Sequence, residues 1–80
     1  MHELGILRHI VSTVSRVAAE NSITSIRHIT LDVGTSSTFV PEYLTKLFPV
    51  AADGIPLLAH TQLHINNLEG TGLVIREIGY

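Results

Sequence analysis

The run Pro56-Leu57-Leu58-Ala59-His60-Thr61-Gln62-Leu63-His64-Ile65 admits two readings, and they lead to different proteins. As a helix it would set His60 and His64 one turn apart, placed to share a metal ion. As a strand it would hold them about 13 Å apart. Apolar spacing arbitrates. Leu57, Leu58, Leu63 and Ile65 make no helical stripe, whereas Leu63 and Ile65 alternate with Gln62, His64 and Asn66 at the period of a half-buried strand. The strand reading removes the chelating pair and leaves open whether His60 or His64 meets a metal by another route.

On the carboxyl side, Asn67-Leu68-Glu69-Gly70-Thr71-Gly72 carries turn chemistry and Leu73 to Ile78 is a second β-rich run, so residues 61 to 78 are predicted to form a hairpin. On the amino side, Ile29, Leu31 and Val33 alternate with His28, Thr30 and Asp32, which predicts a strand ended by Gly34 with His28 turned from the core. Pro41 suits the first position of a helix whose stripe is Val40, Leu44, Leu47 and Phe48, and Pro49 is expected to end or kink it. Leu4, Leu7, Val11, Val14 and Ala18, widened by Ile6, Ile10 and Val17, predict an amphipathic helix of about 18 residues that stops near Asn21-Ser22. The order α-β-α-β-β gives an α+β fold in which two helices pack on one face of a three-stranded β-sheet.

Composition narrows the function classes. Eighty residues with 45% hydrophobic and 15% charged side chains make one domain, 1–80, and exclude a multidomain enzyme. A net charge of −2 without any basic cluster argues against nucleic-acid binding. No apolar run reaches the roughly 18 residues of a membrane span, and His2, Glu3, Arg8 and His9 interrupt the region where a signal peptide would be apolar. The absence of cysteine fits a cytoplasmic protein and removes thiolate catalysis and cysteine zinc sites together. A core this small leaves a thin stability margin, which makes a metal, a partner or self-association an expectation.

Histidine is over-represented, with five copies at positions 2, 9, 28, 60 and 64. Met1-His2-Glu3 is the most chemically loaded tripeptide. A free α-amine, the His2 amide nitrogen and the His2 imidazole can close consecutive chelate rings around one ion, with the Glu3 amide or carboxylate completing the set. That flat, nitrogen-rich arrangement suits Ni²⁺ or Cu²⁺ better than Zn²⁺ or Mg²⁺. Glu3 also simply complements a helix amino terminus, and the tripeptide alone leaves both readings open.

The chain resembles the HypA/HybF family of nickel-delivery proteins for hydrogenase and urease maturation. The resemblance is carried by Met1-His2-Glu3-Leu4 and the apolar helix after it, Leu31-Asp32-Val33-Gly34, Val40-Pro41-Glu42, Asp53-Gly54, and the closing Leu73-Val74-Ile75-Arg76-Glu77-Ile78. It implies Met1 and His2 as nickel ligands and Glu3 as a ligand or close support. Members of that family insert a zinc-binding segment with paired CxxC motifs between the last two strands. Here Asn66 to Gly72 joins those strands directly, so no zinc is expected.

The resulting expectation is a non-enzymatic metallochaperone that holds Ni²⁺ at its amino terminus. By resemblance its partners would be a maturation GTPase or a hydrogenase large subunit. Self-association by strand or hairpin exchange is also expected. The alternative is a metal-independent interaction module on the same scaffold. A hydrolase is the poorest reading, because Ser36, Ser37 and Thr38 would need a positioned base such as His28.

Overall fold

The computed structural model describes residues 2–80, apart from the His2 side chain. The first apolar stripe forms α1 (His2–Glu20), which buries Leu7, Ile10, Val11, Val14 and Ala18. The helix ends where Ser22 turns into the left-handed region at φ 56, with Ile23 N–H bonding Ala18 C=O at 2.8 Å and Asn21 Nδ2 bonding Val17 C=O at 2.8 Å. Strand β1 (His28–Gly34) carries the most deeply buried apolar row of the sheet, Ile29, Leu31 and Val33, all at 0% exposure. Helix α2 (Pro41–Ala52) adds Leu44 and Phe48 to the same core. A short 3-10 turn at Pro56–Leu58 then leads to β2 (Gln62–Leu68) and β3 (Leu73–Gly79). The element order and the α+β architecture are those expected from the sequence.

One expectation is corrected and another is narrowed. The segment 61 to 78 is not a hairpin. The sheet order is β2-β1-β3, with β1 parallel to β2 and antiparallel to β3. Because the inner face of β1 is fully buried, this strand takes the centre, where both of its edges find hydrogen-bond partners. The β2–β3 connection passes over the end of β1: Gly34 N–H bonds Gly72 C=O, Thr35 N–H bonds Leu68 C=O and Ser36 N–H bonds Gly70 C=O, at 2.7 to 2.9 Å. Nor does Pro49 end α2, which continues to Ala52. Pro49 and Thr45, whose carbonyl loses its helical partner to the proline ring, are both exposed, so the missing bond lies where solvent can replace it.

The sheet has two unlike faces. Ile29, Leu31, Val33, Leu63, Ile65, Leu73, Ile75 and Ile78 belong to the core or pack against it. The opposite face carries His28, Asp32, His64, Asn66, Arg76 and Glu77. Asp32 accepts there from both Arg76 and Asn66. A bulge between Thr30 and Leu31 in the β1–β3 register gives β3 the extra residue, Arg76.

Candidate metal centre

Met1 and the His2 side chain lie outside the described residues, so the predicted tripeptide is placed through the His2 backbone and through Glu3. Helix α1 begins at His2, and the first amides of an α-helix lack intrahelical acceptors. A chelate through the His2 amide nitrogen therefore need not break a helical bond. Glu3 sits in that first turn and is only 5% exposed. Its Oε2 accepts the Val40 N–H at 3.0 Å. Val40 is the N-cap of α2, its side chain makes no capping bond, and Pro41 follows at the first helical position. One of the few amides left to satisfy at that helix start is thus taken by a carboxylate, whose charge also favours the positive end of the α2 dipole.

The segment Ser36 to Val40 links this end of α1 to the β2–β3 connection. Ser36 is bonded to Gly70 and Val40 to Glu3. Four residue steps span at most about 14 Å, so the start of α1 and the β2–β3 connection sit at one end of the molecule.

The remaining histidines lie elsewhere. His9 is exposed on α1, His60 is exposed before β2, and His64 is exposed within β2. The strand reading of residues 62 to 65 holds, and His60 and His64 form no one-turn pair. His64 instead pairs with β1: its ring stacks on that of His28, with centroids 5.3 Å apart and planes within 10°. Sequence reasoning missed this pairing, because the expected hairpin set β2 beside β3. The signal for it was the period-2 pattern of both strands, which places His28 and His64 on the same outward face once they are neighbours. Among the described residues, no three His, Cys, Asp or Glu side chains converge to hold an ion as they stand.

Residues 1–73 match the family model described as hydrogenase/urease nickel incorporation, metallochaperone, hypA. The chain belongs to the HypA family. The hydrogenase maturation factor HypA of Deinococcus radiodurans is 35% identical over 72 residues, covering 90% of this chain and 59% of that protein. HypA of Chloroflexus aggregans is 37% identical over 71 residues, covering 89% and 61%. HypA of Methanosarcina barkeri is 42% identical over 53 residues, covering 66% and 40%. The chain thus spans about 40 to 61% of the length of these HypA relatives. The solution structure of the Ni metallochaperone HypA from Helicobacter pylori superposes with a TM-score of 0.77 over 94% of this chain and 70% of that one. At 11% identity that likeness speaks to the fold. It is a HypA fold, and no described helix is long and apolar enough to cross a membrane.

Proposed function

We propose that this chain is a nickel-binding metallochaperone domain, 1–80, that holds Ni²⁺ through the Met1 α-amine and the amide and imidazole nitrogens of His2. A maturation GTPase or the large subunit of a nickel enzyme such as hydrogenase would receive the ion. The observation that carries the reading is the Glu3–Val40 hydrogen bond. It fixes the first turn of α1 against a second helix and so gives the ligands before it a rigid base. With its carboxylate turned to Val40, Glu3 serves as close support for the ion's ligands. The nitrogen donors suit a tetragonal d⁸ ion, and the family match begins at residue 1, so it includes the tripeptide.

Calorimetric titration of Ni²⁺ into protein with a native, untagged amino terminus tests the reading. One tight equivalent is expected. No binding would favour the metal-independent interaction module.

A further inference from the structure

At the opposite end of β1 from the Glu3–Val40 contact, a shallow cavity of about 350 Å³ is lined by Ser25, Ile26, Arg27, His28, His60, Gln62 and His64. From His28 to Gly34 the strand runs about 20 Å, so this region is separate from the amino-terminal site. We propose that His28 and His64 form a second, weaker site for a late first-row divalent cation, with His60 at its rim.

Three features point to this. His28 Nε2–H donates to Glu77 Oε1 at 3.2 Å. An ionised carboxylate can only accept, so this contact places the proton of a neutral ring on Nε2 and leaves the Nδ1 lone pair for a metal. A carboxylate behind the distal nitrogen is the usual support of a metal-bound histidine. The ring is also held in place. Gly79 presents only its α-carbon beneath it, and a Cβ there would lie 2.0 to 2.4 Å from His28 ring atoms. Finally, the His28 and His64 centroids are 5.3 Å apart. Two imidazoles bound to one ion at metal–nitrogen distances near 2 Å have centroids about 5 Å apart. Convergence on one ion requires the exposed His64 ring to turn away from its stacked orientation. Water fills the remaining positions. Arg27 lines the cavity and repels a cation, while Glu77 offsets that charge; both effects, together with only two protein donors, keep the site weak. Imidazole donors select Ni²⁺, Cu²⁺ and Zn²⁺ over Mg²⁺ or Ca²⁺.

The test uses the full chain carrying His2→Ala and a short histidine-free amino-terminal extension, which disables the first site. Its result is thereby independent of the metallochaperone reading. NiCl2 is titrated by calorimetry, and ZnCl2 is followed through the histidine ring signals by NMR. One weak equivalent is expected, with His28 and His64 signals shifting together. His28→Ala and His64→Ala should each weaken it at least tenfold, and His9→Ala should leave it unchanged. Glu77→Gln, which keeps both ligands, should weaken it several-fold, as should Gly79→Ala, which displaces the His28 ring. Absence of binding overturns the site, and so does binding that survives both histidine substitutions in variants with wild-type circular dichroism.

Discussion

The Glu3 carboxylate accepts the backbone N–H of Val40 across 37 positions of chain, so the first turn of α1 and the start of α2 are positioned by one hydrogen bond. Glu3, which the sequence offers as a metal ligand or as close support for one, is only 5% exposed at a helix junction. A fixed first helical turn favours a preformed metal site, because ordering entropy is then lost on folding and not on binding.

Removing that acceptor should be felt first in stability. Glu3→Ala is expected to cost about 1.5–3 kcal/mol, the range for a hydrogen bond to a charged group, with a smaller loss for Glu3→Gln, which keeps a carbonyl acceptor. Urea denaturation measures both. Nickel affinity should fall in Glu3→Ala and stay within a few-fold of wild type in Glu3→Gln. A Gln variant that folds normally and has lost nickel altogether would show that the carboxylate itself ligates the ion.

His2→Ala should abolish tight nickel binding while leaving the melting temperature near wild type. His9→Ala should retain binding, since seven residues of helix place it about 10 Å from His2. A histidine-free extension of the amino terminus should be as damaging as His2→Ala, because it converts the α-amine into an amide and changes no side chain. Equal losses in His2→Ala and His9→Ala, or full tight binding by the extended protein, would overturn the ligand assignment.

Periodicity made the two helices and three strands legible because it reports which face of an element is buried. It does not report which neighbour an edge takes. Leu63 and Ile65 read as inward-facing whether β2 lies beside β3 or beside β1, so the hairpin and the observed split arrangement were indistinguishable by that signal. The choice was settled by long-range energetics: Ile29, Leu31 and Val33 needed the central position. The His28–His64 stack depends on that choice and was invisible for the same reason. Pro49 does not end α2, because a proline's cost inside a helix depends on whether the carbonyl it leaves without a partner is open to solvent, and Thr45 is exposed. The amino-terminal tripeptide stood out through its donor chemistry and its resemblance to a family. The inward turn of Glu3 required knowing where α2 begins in space.

Ser22 closes α1 from the left-handed region at φ 56, and its N–H and that of Ile23 reach back to Ala19 and Ala18. A side chain there pays a steric cost that glycine avoids. Ser22→Gly should therefore stabilise the protein by about 0.5–1 kcal/mol, visible as a higher urea midpoint at unchanged slope. Ser22→Ala, which keeps the strain, should not.

Gly34 marks where the β2–β3 connection crosses the end of β1, and it decides whether the split sheet can form. A Cβ on Gly34 would lie 2.3 Å from the Gly70 carbonyl oxygen and 2.8 Å from the Thr71 nitrogen. Both are backbone atoms, so no side-chain rotation can relieve the clash. Relief would require the connection to lift, stretching the bonds from Gly34, Thr35 and Ser36 to Gly72, Leu68 and Gly70. Overpacking in a rigid environment costs about 1–3 kcal/mol, a large fraction of the stability of so small a domain. Gly34→Ala should lower the urea midpoint by a corresponding amount or prevent folding. Gly72→Ala, where an added Cβ meets nothing within 4 Å, serves as the control and should stay within about 1 kcal/mol of wild type. Because the Ser36–Val40 segment also holds Glu3, a Gly34→Ala protein that still folds should bind nickel more weakly at the amino terminus, although no ligand has been touched. Equal stability of the two alanine variants would show that the crossing is looser than the Gly34–Gly70 approach implies.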